Sequence, residues 1–285
     1  MKKFKNKGFI YILPWILGFI LFKMYPIIYS LILSFTDGNI IGKPEFTGLE
    51  NYIRAFSDKD VIKSFAVTVI YAFIEVPLKL MVSLLVAQLL SARIKGMGFF
   101  RTAYYIPTIL GSNIAAAVLW KYLFSSKGYA NQLLAVFGIE PVSWFGEPFP
   151  ALMTVILLRV WEFGSSMVIF LAGINEVPKE LYEAAEIDGC SRINRFFRIT
   201  VPMIRHLIFF NFIMQMIQAF QEFNAPYMIT GGNPLNFTYL ISMLIYDNSF
   251  VYFDMGYASA VSWILLIVLA VPSAVMIKKY ERDGA

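Results

Sequence analysis

The chain has 285 residues, 58% of them apolar and 15% charged, with a mean hydropathy of +0.64. Soluble domains carry about 45–50% apolar and about 25% charged residues, so the charge deficit excludes a single water-facing globule and points to an integral membrane protein. The 24 basic and 19 acidic residues leave a net charge of +5, which in a membrane protein bears first on orientation and not on nucleic acid.

A membrane-crossing helix needs about 20 mostly apolar residues. Six segments qualify, at 9–35, 65–90, 102–124, 151–174, 207–229 and 256–277, and they predict an all-α, six-span protein. Their unbroken apolar runs lack the alternation of a membrane barrel. The first segment contains Pro14, Lys23 and Pro26 and has no small-residue cleavage site after it, so it reads as a true span and not as a cleaved signal peptide. Lys23 has no evident partner.

Basic residues predict the topology. Lys2, Lys3, Lys5 and Lys7 precede span one; Arg93, Lys95 and Arg101 follow span two. Lys179, Arg192, Arg195, Arg198 and Arg205 follow span four, and Lys278, Lys279 and Arg282 follow span six. These fifteen face six on the other side: Lys43, Arg54, Lys59, Lys63, Lys121 and Lys127. The asymmetry predicts that both termini are cytoplasmic. The loops 36–64 and 125–150 and the turn-rich TGGNP at 230–234 then lie outside. No separate soluble domain fits, so residues 1–285 read as one transmembrane domain.

Catalytic motifs are missing. There is no GxxxxGK[ST], HExxH or GxSxG, so neither nucleotide binding by a P-loop nor the matching hydrolase chemistry is expected. His206 reads as an interfacial histidine near a span start. Cys190 reads as a small packing residue, and as the lone cysteine it excludes an intrachain disulfide.

Polar groups inside spans are costly and mark pathways by default. Span two carries Glu75 and Lys79 at i, i+4, with Pro77 between; span four carries Arg159 and Glu162 at i, i+3. Each pair can neutralise itself, so structural pairing is the expected role, and both remain candidates to meet a polar solute. Span five carries Asn211, Gln215, Gln218 and Glu222. At 100° per residue they fall at roughly 0°, 40°, 340° and 20°, one stripe about 16 Å long. Interhelical polar glue is the alternative to a pathway reading of this stripe. Trp120, Trp161, Tyr71, Tyr104 and Tyr105 could stack on sugar rings, although core packing or an interfacial belt explains each one singly.

Between spans four and five lies NEVPKELYEAAEIDGCSRINRFFRITVP, 175–202. Pro178 suits a first helical turn, Gly189 suits a stop, and Ser191 can cap a second helix. On that second helix Ile193, Phe196, Phe197 and Thr200 are expected on one side, and Arg192, Arg195 and Arg198 on the other. Small side chains at Ala184 and Ala185 beside Tyr182 make the first helix a peg for a partner's groove.

EAAEIDGCSRINRFFRITVP resembles the EAA loop of permease subunits in binding-protein-dependent ABC importers. Glu183, Ala184, Ala185, Gly189, Ile199 and Pro202 occupy the motif positions, with Val201 in place of the usual Leu and Cys190 in place of a frequent Ala. FTGLENYIRAF, FFRTAYYIPTIL, TGGNP and GYASAVSWIL resemble the carbohydrate branch, the maltose and glycerol-phosphate type, so the similarity covers nearly the whole chain.

The resemblance implies a type I importer permease in the bacterial cell membrane. It implies a second homologous permease chain, two ATPase subunits and an extracellular or periplasmic sugar-binding protein as partners. No cofactor is expected in this chain, since ATP and Mg would sit on the ATPases, and no catalytic residue is expected. Coupling to the ATPase falls, by resemblance, on Tyr182, Glu183, Ala184, Ala185, Asp188 and Gly189, and the implied mechanism is alternating access driven through that loop. Two rivals stand: an importer of another polar solute such as a glycerophosphodiester, and a proton-driven secondary transporter using Glu75 or Glu222, which would leave the EAA loop unexplained.

Overall fold

A computed structural model describes residues 7–38, 45–92, 96–110 and 114–284. Lys2, Lys3, Lys5, Lys43, Arg93 and Lys95, used above for topology, lie outside them. In chain order the helices are α1 Tyr11–Leu33, α2 Glu50–Ser57, α3 Lys59–Leu90, α4 Met97–Leu110, α5 Ile114–Leu123, α6 Tyr129–Val136 and α7 Pro148–Trp161. Then come α8 Gly164–Glu176, α9 Lys179–Ile187, α10 Arg192–Met203, α11 Arg205–Phe220, α12 Asn224–Ile229, α13 Ile241–Tyr246 and α14 Met255–Gly284. Among the described residues there is no β-strand; Thr36 and Phe46 form an isolated antiparallel bridge.

Three helices, α1, α3 and α14, are long and apolar enough to cross a membrane alone. Three bent pairs, α4 with α5, α7 with α8 and α10 with α11, pass the same test together and bring the number to six. The all-α, six-span expectation therefore holds in its elements, with three of the spans built as bent pairs of helices.

Two of the departures have local causes. Span four bends by 45° between α7 and α8. Glu162, at the bend, leaves the helical region (φ −82, ψ 31), and its carbonyl accepts from the Thr108 hydroxyl at 3.3 Å. Ser83 donates to the Phe163 carbonyl at 3.1 Å. The Thr108 hydroxyl thus serves a carbonyl at the break, as apolar surroundings require, and Ser83 adds a second bond to a carbonyl that also accepts from the Met167 N–H at 3.0 Å. Span five was expected to run to 229; α11 instead stops at Phe220 and α12 begins at Asn224. Pro226 has no N–H for the Glu222 carbonyl and its ring would clash there, which ends a continuous helix at this point.

The chain divides into two compact units, Met1–Lys63 with Leu244–Ala285, and Ser64–Met243. In the first, the C-terminal part of α1 and the short α2 pack along α14, and Trp263 donates to the Ser30 hydroxyl at 3.3 Å. Asn51 donates to the carbonyls of Ser34 and Thr36 at 3.1 and 2.7 Å. No residue of the most apolar stretch of α1 is buried. Lys23 lies there, exposed, in a π-helical turn, Ile20–Met24; among the described residues no hydrogen bond or ion pair reaches its ammonium.

The second unit holds the main core. Leu152, Val155, Ile156, Leu158, Met167, Phe170, Leu240 and Ile241 are almost wholly buried. Here α8 packs on α4 and α11, and α12 on α5 and α7. At Gly164 the backbones approach so closely that a Cβ would stand 2.5 Å from Thr108 Oγ1 and 2.9 Å from the Tyr104 carbonyl, the close contact that small residues permit between membrane helices.

Candidate functional site: a charged cavity and a pinned helical peg

The second unit holds a half-open polar cavity of about 240 Å³ lined by Tyr71, Glu75, Lys79, Arg159, Glu162, Gln215, Gln218, Ala219, Gln221 and Glu222. Tyr71, Glu75 and Lys79 stand one turn apart on α3, so helical spacing alone aligns them. Lys79 Nζ lies 3.5 Å from Glu75 Oε1. Arg159, in the last turn of α7, donates to both oxygens of Glu162 at 2.8 and 2.7 Å. Its Nη2 donates to Glu222 Oε1 at 2.8 Å, and its Nε stands 2.8 Å from Glu222 Oε2 at ion-pair distance without hydrogen-bond alignment. Glu222 Oε1 also accepts from the Ala225 backbone N–H at 2.9 Å, capping α12.

Three carboxylates therefore surround two cations, and both cations are engaged. A buried charge missing its counter-ion is strongly destabilising, so the paired arrangement is what lets five ionisable groups share an apolar layer. Apart from Ala219, the remaining lining is amide and phenol, groups that both donate and accept.

The sequence-expected residues come together here with two corrections. Asn211 does not line the cavity; it is buried and donates to the Leu207 carbonyl of its own helix at 3.0 Å. Glu222 lies beyond the end of α11, so the four-residue stripe is helical only through Gln218. Arg159, expected to pair within its own turn, also donates through Nη2 to Glu222, 63 positions away. Gln221 was not singled out; its position three residues after Gln218 was the available signal.

The aromatic candidates part company with the cavity, Tyr71 excepted. Trp120 and Trp161 lie 5.8 Å apart at 33° in a separate apolar hollow of about 410 Å³ with Leu110, Ala115, Leu119 and Tyr129. Trp120 donates to the Thr154 carbonyl at 2.9 Å. Tyr104 packs against Phe163 at 6.0 Å, and Tyr105 is exposed.

The EAA-type segment forms a rigid corner. Gly189 closes α9 at φ +74, a conformation that favours glycine. Cys190 N–H donates to Ala185 O at 2.8 Å and Gly189 N–H to Glu186 O at 3.1 Å, the paired bonds of a Schellman stop. Ser191 caps α10 by accepting from the Asn194 N–H at 3.3 Å. Tyr182 and Thr200 join hydroxyls at 2.8 Å, and Arg195 pairs with Glu186 at 2.9 Å. Glu183, Ala184 and Asp188 are exposed, and Tyr182 and Ala185 are half-buried. The expected apolar face of α10 is split: Thr200 is buried, whereas Ile193 and Phe197 are exposed at 70% and 64%. A π-helical turn, Phe196–Thr200, rotates less per residue than an α-helix and shifts Thr200 out of the 3.6-residue register of Ile193 and Phe197.

In the first unit Arg54 pairs with Asp254 at 2.6 Å and covers the Tyr257 ring at 3.9 Å, while the Tyr257 hydroxyl donates to Asp58 at 2.5 Å. Burial pushes the Asp58 carboxyl up, but the Tyr257 hydroxyl, the N–H groups of Asp60 and Val61 and the Arg54 charge outweigh it, and Asp58 titrates below its ordinary range. Among the described residues no group of three His, Cys, Asp or Glu side chains is placed to hold a metal ion.

Residues 52–282 match the family described as binding-protein-dependent transport system inner membrane component. The chain is 40% identical over 282 residues to the probable ABC transporter permease protein YesP of Bacillus subtilis (strain 168), covering 98% of this chain and 91% of that one. It is 34% identical to the trehalose/maltose transport system permease protein MalF of Thermococcus litoralis, covering 97% and 95%. A solved bacterial ABC transporter involved in import of the acidic polysaccharide alginate superposes with a TM-score of 0.83 at 22% identity, over 99% of this chain and 98% of that one. This chain belongs to the binding-protein-dependent transport system inner membrane component family: it is a multi-pass membrane permease subunit, and the solved structure shares its fold.

Proposed function

We propose that this permease imports a neutral saccharide, with the cavity between α3, α7 and α11 as part of the solute's route. The carrying observation is the cavity's charge pattern: Lys79 and Arg159 are already held by Glu75, Glu162 and Glu222, and the other groups are glutamines and a tyrosine. Such a lining offers hydroxyls both donors and acceptors. It offers an anionic phosphodiester no spare cation, which disfavours that rival. The sugar named for the trehalose/maltose relative supports the same reading.

The rest of the assembly follows from the family. A binding protein delivers the sugar from outside, a second permease chain completes the route, and two ATPase subunits hold ATP and Mg. Both termini and α9 face the cytoplasm, where Tyr182, Glu183, Ala184, Ala185, Asp188 and Gly189 form the peg that the ATPase grips. The pins at Tyr182–Thr200 and Glu186–Arg195 support this, since a rigid corner transmits displacement where a floppy loop would absorb it.

Purification of the tagged chain from its native membranes, followed by reconstitution and uptake of labelled neutral and anionic oligosaccharides, tests the proposal. ATP-dependent uptake confined to neutral sugars supports it. Uptake of the anionic class alone overturns it.

A further inference from the structure

We propose that Arg159 is a positioning residue for the transport gate: its ion pair with Glu222 holds the route closed at this point, and opening the route breaks that pair. This rests on the permease reading above.

The argument starts from where the pair lies. Arg159 is three residues before Glu162, the residue at which α7 turns by 45° into α8. Glu222 sits inside another interruption, between α11 and α12. Hinge motion is absorbed at such element ends, so the pair bridges two of the places where this unit's backbone can turn.

Both interruptions are built to exist in a stable form. Thr108 and Ser83 hydroxyls serve the carbonyls at the first, and the Ser242 hydroxyl serves the Phe220 carbonyl at the second, at 3.2 Å. The tight approach at Gly164 fastens the start of α8 to α4.

The pair can also be released without stripping either side chain of all its partners. On separation Arg159 keeps Glu162, its neighbour in the same turn, and Glu222 keeps the Ala225 N–H. Both face a cavity where solute hydroxyls can replace the lost bonds. The Glu75–Lys79 pair differs, because its partners share one helix and move together. Among the described residues, Arg159–Glu222 is the cavity's one ion pair between separate elements.

The test uses the whole complex in lipid nanodiscs. Wild type establishes the permease reading: a chain that copurifies with no ATPase and hydrolyses no ATP overturns that reading, independently of the gate. With wild type active, Glu222→Gln is expected to raise ATP hydrolysis in the absence of binding protein by about five-fold or more, with Arg159→Lys showing a smaller rise. Hydrolysis that remains at the wild-type basal rate in both variants overturns the proposal. A second measurement leaves the pair intact. Spin labels at Trp161→Cys and Gln221→Cys, in a Cys190→Ser chain, are expected to change separation by more than about 2 Å between nucleotide-free and ATP-trapped states. An unchanged separation overturns the gate, whether or not the charge variants assemble.

Discussion

The Tyr182 hydroxyl meets the Thr200 hydroxyl at 2.8 Å and ties the first turn of the EAA-type peg to the last turn before α11. Thr200 is fully buried, so Tyr182→Phe leaves its hydroxyl short of a partner at about 1–3 kcal/mol. The expected result is faster amide exchange across residues 179–203 and lower sugar uptake at unchanged membrane level. Wild-type exchange in that segment would show that the corner does not depend on this bond.

Gly189 separates conformational strain from steric contact. Its φ of +74 strains any side chain, yet a Cβ there meets nothing within 4 Å. Gly189→Ala is expected to cost about 1–2 kcal/mol of local stability by strain alone. Gly189→Pro, or Ala185→Trp, is expected to uncouple uptake while leaving insertion intact. Normal import rates in both would remove the docking role from α9.

Gly164→Ala has the opposite character. The added methyl stands 2.5 Å from Thr108 Oγ1 and 2.9 Å from the Tyr104 carbonyl, so α4 and α8 must separate, at about 1–3 kcal/mol for overpacking. Thermal unfolding of the detergent-solubilised protein is expected to shift downward, and a wild-type midpoint would mean that the helices yield at no cost.

The span five amides discriminate pathway from packing. Gln215→Leu with Gln218→Leu removes two groups of the cavity lining and is expected to lower sugar uptake several-fold without loss of subunit assembly, on the scale of about 1.4 kcal/mol per ten-fold. Unchanged uptake would demote these residues to packing.

Acid sensitivity is expected in the first unit. Asp58 has a folded-state pKa below its ordinary value, so its ionised form favours the folded state. That contribution is present above the unfolded value of about 3.9 and is lost as pH falls from there through the folded value. Tyr257→Phe removes the hydroxyl that donates to Asp58 and is expected to move this acid limb to higher pH. Identical acid limbs in melting curves of the two proteins would contradict the assignment.

Residues close in the chain settled a good deal by themselves. Apolar runs of spanning length set the all-α membrane class, because no solvent within the bilayer can serve an unpaired backbone. Gly189 and Ser191 marked the stop and start of the peg helices, since both signals act within one turn. The i, i+4 relation of Glu75 and Lys79 was legible for the same reason. Pro226 also carried the break after α11, but the apolar run masked a steric veto that acts four residues upstream.

Tertiary structure decided the rest. Nothing local says that Arg159 reaches Glu222, that Asn211 turns back on its own helix, or that Trp120 and Trp161 leave the polar route for an apolar hollow. A helical stripe specifies direction around one axis and leaves open what stands opposite. The choice among neutralising partners in an apolar layer belongs to whichever carboxylate the packing of α7 against α12 brings within 3 Å of the guanidinium.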